Sequence, residues 1–258
     1  MRRRLGWAGR GAWVTGAVLV LLTGACSAGT PRPASDPTGP GADVGTRIDA
    51  ALPARILDLP FTTSDGRAVS LRSFAGKLVA VSDVVTLCQE TCPMDTATFV
   101  ETARAEAAHS RSDEVFLSIT VDPARDTTAQ LAAYRQLFSP PPRDWLLLTG
   151  TPQSVDALWD YLGVYRHRVA EPPGPAPRSW RTNQPLTYDV QHSDEVFLLD
   201  RRTHERFVLE GPPYAGPASV PSRLKGFLND EGRTNLAHPP SSDWTETQAR
   251  GVLTWLRG

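Results

Sequence analysis

Two short apolar, β-branched runs, Leu78 to Val85 and Val115 to Val121, constrain this chain most. The first is broken only by Ser82 and Asp83, and each is bounded by turn or helix signals, so both read as buried strands. Between them, Pro93 opens a helical stretch to about His109, with Met94, Phe99 and Val100 as its larger apolar residues. Thr127 with Gln130 gives a capping-box pattern for a helix through Phe138, Trp145 to Leu148 reads as a third strand, and Thr151-Pro152 starts a helix to about Leu162. Val196 to Leu199 and Phe207 to Leu209 read as a hairpin turning near Arg202-Thr203. Asp243 with Glu246 starts a last helix ending near Leu256. Upstream, Arg55 to Phe61 and Ala68 to Leu71 flank Asp65-Gly66, a strong hairpin turn signal.

Strand, helix, strand, helix, strand, hairpin, helix is an α/β sandwich, and a thioredoxin-like order fits it best. The expected fold has an N-terminal hairpin and a Pro-rich insertion, Glu171 to Pro177, ahead of the hairpin region that carries His192.

The N-terminus reads as an address rather than as fold. Arg2, Arg3 and Arg4 precede an apolar segment, Trp13 to Leu22, that ends in Thr23-Gly24-Ala25-Cys26. This is a secretory signal with a lipoprotein-type cleavage site, although Thr23 stands where the usual lipobox prefers Leu. The apolar core is shorter than the ~20 residues a spanning helix needs. Lipidation at Cys26 would hold the mature chain on the outer face of the cell membrane. Residues 27–51 are rich in Ser, Gly, Pro, Asp and Ala and read as a disordered tether, leaving 52–258 as one domain. Lys+Arg 27 against Asp+Glu 28, with no basic block beyond the leader, gives no reason to expect nucleic acid.

With Cys26 assigned to the leader, Cys88 and Cys92 are the two remaining thiols. They follow the first buried strand directly, and functional residues of open α/β sheets gather beyond the carboxyl ends of the strands. A helix start favours thiolate over thiol, so at least one of the pair should have a lowered pKa. Residues four apart there can turn both sulfurs toward one point, which suits a soft metal ion and also permits a disulfide.

A third ligand would decide between those fates. His109 ends an exposed helix, His204 sits in a hairpin turn, and His238 precedes Pro239-Pro240; each reads as a solvated side chain. His167 lies between Arg166 and Arg168, a setting that hinders cation binding. His192, in Tyr188-Asp189-Val190-Gln191-His192-Ser193, stands just before a buried strand where a loop can face the cysteines. A lone histidine is more often structural, so spacing alone leaves its role open.

These residues carry a family likeness. Thr86-Leu87-Cys88-Gln89-Glu90-Thr91-Cys92-Pro93, with three residues between the thiols, resembles the cysteine motif of the Sco/SenC family of copper-binding, thioredoxin-fold proteins. Ser118 to Thr127, Leu148 to Thr151, and Tyr188 to Ser193 with Phe197 to Asp200 resemble further motifs of that family in the same order. The resemblance implies a copper ion held by Cys88, Cys92 and His192. It also implies delivery to the CuA centre of cytochrome c oxidase subunit II or to another extracytoplasmic cuproprotein. Two thiolates and an imidazole suit Cu(I) and permit Cu(II). Gln89 departs from the proline usual after the first cysteine, and Val85 from an aromatic usual before the threonine. Against the same family pattern, Gly226 to Ser242 reads as a further insertion.

Other readings compete. Cys88 and Cys92 could cycle as a redox pair in a thiol-disulfide reductase that keeps the oxidase's copper-ligand cysteines reduced. A peroxidase of the same fold fits less well, because Gln89 stands three before Cys92 where such sites carry Thr. A secreted binding domain with a structural disulfide is the plainest alternative. Asp126 reads as the cap of the helix at Thr127. Asp122 with Pro123 reads as a turn former, and on the mouth side it could also support the copper site.

Overall fold

The computed structural model describes residues 39–109, 113–171, 173–213, 216–238 and 244–258. The signal segment with Cys26, residues 27–38 of the expected tether, and Asp243 lie outside the described residues. No helix among the described residues is long and apolar enough to cross a membrane.

In chain order the elements are β1 (Gly45–Ala51), α1 (Ala54–Leu57), β2 (Phe61–Thr63), β3 (Ala68–Val69), β4 (Leu78–Val84), α2 (Cys92–Ala108), β5 (Glu114–Thr120), α3 (Thr128–Leu137), β6 (Trp145–Gly150) and α4 (Pro152–Leu162). They continue with β7 (Arg166–Ala170), β8 (Tyr188–His192), β9 (Glu195–Leu199), β10 (His204–Glu210), α5 (Ser222–Lys225), α6 (Asp230–Ala237) and α7 (Glu246–Arg257). Among the described residues, one sheet runs β1-β10-β9-β4-β5-β6-β2-β3, while β7 and β8 form a separate ribbon.

The two apolar runs are the central parallel pair. β4 and β5 align from Leu78 opposite Glu114 to Val84 opposite Thr120, and every residue of both is buried. Both faces must therefore be covered. Alternation along the strands divides the core accordingly. Ala80 and Phe116 pack with Phe99 and Val100 of α2, Leu131 and Tyr134 of α3, and Val252 and Leu253 of α7. Val79, Val81 and Leu117 face the other way, onto Ile56 and Leu57 of α1 and Leu158 and Trp159 of α4. This is the expected thioredoxin-like α/β fold.

Several boundaries differ from expectation. Residues 45–51 are not tether: β1 pairs antiparallel with the edge of β10, so backbone pairing supplies what its sparse apolar content cannot. Arg55 to Phe61 is not one strand, because Pro53 and Pro60 bracket a single helical turn whose Ile56 and Leu57 are buried. The hairpin around Asp65-Gly66 is present but short, with Phe61 opposite Val69. The last helix is capped by Thr245, whose hydroxyl accepts from Gln248 N, rather than by Asp243. The Pro-rich segment connects β7 to β8 and so precedes His192 as expected, while the 226–242 insertion contains α6.

Candidate metal centre

The carboxyl end of β4 delivers the chain into the cysteine loop, and hydrogen bonds from three other segments fix that loop. The Thr86 hydroxyl donates to buried Asp126, and the Thr86 amide reaches the same carboxylate at 3.3 Å. Thr120 of β5 donates to Asp126 at 2.8 Å, Gln130 of α3 donates to the Thr86 hydroxyl at 3.0 Å, and the Trp180 indole donates to the Thr86 carbonyl at 2.7 Å. Asp126 therefore does not cap α3. Thr127 does, accepting from Gln130 N at 3.2 Å, and Asp126 turns inward because two threonine hydroxyls and an amide converge there. Burial raises its pKa to about 6 despite these donors.

Cys92 is the first residue of α2, with Pro93 second, and Cys88 lies in the loop before it. Both thiols are free and buried. The Glu90 amide donates to Cys88 Sγ at 3.4 Å. His192 ends β8, and the adjoining Ser193 is tied to Tyr165 by two hydrogen bonds of 3.1 Å, one from Ser193 N to the Tyr165 carbonyl and one from Tyr165 N to the Ser193 hydroxyl. The result places His192 Nε2 3.1 Å from Cys92 Sγ, across a hundred residues of sequence. On its other side, Nδ1 faces the Ser193 carbonyl at 3.0 Å and the Asp83 carboxylate of β4, with Asp194 at 3.7 Å.

The electrostatics split the dithiol. A hydrogen bond from Cys92 lowers the Cys88 pKa, helped by the nearby His192 and outweighing burial. Burial raises Cys92 well above the usual thiol value, and its bond to Cys88 adds to this. The expected lowered thiol is thus Cys88 in the loop and not Cys92 at the helix start, because at Cys92 desolvation outweighs the helix N-terminus. Burial alone would lower His192, but the charge and hydrogen bond of Asp83, with Asp194, raise it well above the imidazole norm. Burial also pushes Asp194 to about 6 and Glu195 to about 7. Asp95, whose carboxylate oxygens meet no hydrogen-bond donor among the described residues, is raised well above the carboxylate range by burial and by Asp194.

Cys88, Cys92 and His192 come together as expected. Asp122 is placed elsewhere: it pairs with Arg125 and accepts from the Tyr188 hydroxyl at 3.1 Å, in a groove shared with Tyr165 and His167. His167 is exposed on β7 opposite Gln191. His109 caps the far end of α2, His204 starts β10, and His238 caps α6. Sequence reasoning missed Asp83, Trp180 and the inward role of Asp126. A charged residue inside an otherwise apolar buried strand is itself the signal for Asp83, since a buried carboxylate needs a partner.

The fold and site define a thioredoxin-like domain whose open end carries two free thiols and an imidazole. The SCO1/SenC family profile matches residues 54–225, about two thirds of the chain, and the chain belongs to that family. The mitochondrial SCO1 homologue of Mus musculus is 30% identical over 148 residues, covering 56% of this chain and 47% of the mouse protein. The chain spans about half the length of the curated relatives it matches. A putative electron transfer protein from Aquifex aeolicus superposes with a TM-score of 0.51 at 16% identity, covering 69% of this chain and 94% of its own, and shares the fold. Bradyrhizobium japonicum ScoI, solved with copper bound, gives a TM-score of 0.45 at 24% identity, covering 66% of this chain and 97% of its own.

Proposed function

We propose that this protein is an extracytoplasmic copper chaperone, in which Cys88, Cys92 and His192 hold one copper ion as cargo and pass it by ligand exchange to the CuA centre of cytochrome c oxidase. The observation that carries this reading is the approach of His192 Nε2 to Cys92 Sγ at 3.1 Å, beside a second free thiol. Two soft sulfurs with one imidazole suit Cu(I). Cargo metal binds thiolates, so loading displaces thiol protons and requires the reduced pair. Membership in the SCO1/SenC family supports both the cargo and the recipient. In this reading residues 1–26 are the signal, lipidated Cys26 anchors the chain to the outer face of the membrane, and the tether runs from there to the start of β1.

The test is copper content per chain of the reduced full-length protein reconstituted with Cu(I), for wild type and His192→Ala. Tight binding by wild type with much weaker binding by the variant is expected, and absence of tightly held copper in wild type sinks the reading. In the cell, deleting the gene at normal copper supply should lower the CuA content of the oxidase.

The split pKa values favour one second reading, a thiol-disulfide reductase with Cys88 as the attacking thiol and Cys92 as its buried resolving partner. In that role His192 is dispensable, so full reductase activity in His192→Ala would favour it over copper delivery.

A further inference from the structure

The side of His192 turned away from the thiols is as ordered as the side turned toward them. Asp83 sits within β4 with its side chain 2% exposed, and the His192 side chain is 4% exposed. One Asp83 carboxylate oxygen accepts the Glu195 amide at 3.4 Å. The other, Oδ2, lies against His192 Nδ1, and among the described residues no hydrogen-bond donor besides that ring reaches it. A buried carboxylate oxygen left with a single ring nitrogen for company implies that the ring proton belongs on that nitrogen. The Ser193 carbonyl, 3.0 Å from the same nitrogen, reinforces the assignment because it too can only accept.

We propose that Asp83 is the positioning residue of the metal centre, keeping a proton on His192 Nδ1 so that it is Nε2 that gives up its proton on metal loading and turns a lone pair toward Cys92 and Cys88. The inference rests on the copper-chaperone reading for the identity of the cargo, but the close approach of Asp83 to His192 Nδ1 exists without metal. A carboxylate behind a metal-binding imidazole fixes its tautomer and rotation and makes the ring a stronger donor. The strand supplies the rigidity. Val81 pairs with Phe197 and Ser82 with Val196, so β4 and β9 set the distance from Asp83 to the turn after His192. The Ser193 carbonyl can fix ring orientation; Asp83 adds the nearest buried negative charge against Nδ1, with Asp194 farther off at 3.7 Å.

The experiment compares full-length wild type, Asp83→Asn, His192→Ala and the double variant, purified in detergent. Cu(I) affinity is measured by competition with a chromophoric chelator, and the ring N–H of His192 is followed by proton–nitrogen NMR in the metal-free state. Asp83→Asn keeps the shape and removes the charge. It should weaken Cu(I) binding about 10- to 100-fold, and that loss should disappear in the His192→Ala background. The Nδ1–H resonance should be far downfield and slow to exchange in wild type, and shift upfield with faster exchange in Asp83→Asn. Unchanged affinity in Asp83→Asn, or an equal loss with and without His192, overturns the proposal. If wild type binds no copper, the chaperone reading fails, and the ring N–H resonance alone decides Asp83: a resonance unmoved by Asp83→Asn overturns it.

Discussion

Asn229 donates its backbone N–H to the carbonyl of Gln89 at 3.1 Å, tying the C-terminal extension to the loop between the two cysteines. Its side-chain amide also donates to Glu90 at 3.0 Å, while its Oδ1 accepts from Gly232 N at 2.8 Å and caps α6. Both contacts fall outside the 54–225 family match on one side and within the cysteine loop on the other. A segment beyond the profile match therefore braces the loop between Cys88 and Cys92.

The brace depends on Gly232. A Cβ built there would lie 2.1 Å from the Gln89 carbonyl oxygen, a backbone atom that cannot swing aside. Gly232→Ala should lift α6 off the loop, cost about 1–3 kcal/mol, and speed modification of the buried thiols by a disulfide reagent several-fold. Gly226→Ala is the control, because its Cβ would meet nothing closer than 3.6 Å. Equal thiol reactivity in the two variants would show that α6 does not guard the loop.

A second tie joins the C-terminal helix to the sheet through charge. Glu106 of α2 and Glu114 of β5 are each 2% exposed, and Arg257 of α7 pairs with both, while Arg250 reaches Glu106 at 2.8 Å. Arg257→Ala would leave Glu114 without its cation and the two carboxylates facing each other. Breaking a buried pair from one side costs on the order of 3–5 kcal/mol, so urea unfolding should shift to clearly lower denaturant. Arg67→Ala, whose ion pair with Asp65 is exposed on both sides, should leave the midpoint nearly unchanged.

How much of this was legible in the sequence follows from where each signal is stored. Buried parallel strands announce themselves because both faces are apolar, and Leu78 to Val85 and Val115 to Val121 lie where β4 and β5 lie. Cys88, Cys92 and His192 were legible through motif spacing and family likeness. β1 and β7 were not: each has half-exposed side chains and owes its form to backbone pairing, with β10 and β8 respectively. The polar α6 has only Gly232 fully buried, so no apolar stripe marks it. Asp126 and Asp83 were misread or passed over because sequence shows a carboxylate but not which way it turns.

The asymmetry of the dithiol predicts which sulfur reacts. Cys88 has the lowered pKa through its hydrogen bond from Cys92, and Cys92 the raised one through burial. Limited alkylation of the reduced protein near neutral pH, read by peptide mass spectrometry, should label Cys88 first. Replacing Cys92 by Ala removes the donor that stabilises the Cys88 thiolate, so the Cys88 rate should fall and its pH profile move toward higher pH. Faster labelling at Cys92 than at Cys88 would reverse the assignment.

Asp126 should make stability depend on pH in the sense opposite to a salt-bridged carboxylate. Its pKa is raised to about 6 in the fold from the usual 3.8, with burial the main cause. Between those values the folded state holds the proton more tightly than the unfolded chain, so stability falls as pH rises through the window and is greatest below it. A shift of about two units corresponds to roughly 3 kcal/mol at most. Protonation of Asp126 would also let it donate, relaxing a site where Thr86 and Thr120 both point hydroxyls at one carboxylate. Asp126→Asn should flatten the stability profile between pH 4 and pH 6. Because Thr86 leads directly into the cysteine loop, the same variant should leave copper content unchanged only if the neutral amide accepts from Thr86 as the carboxylate does. Denaturant unfolding across that pH range, in wild type and Asp126→Asn, tests the linkage; parallel profiles would show that Asp126 does not titrate there.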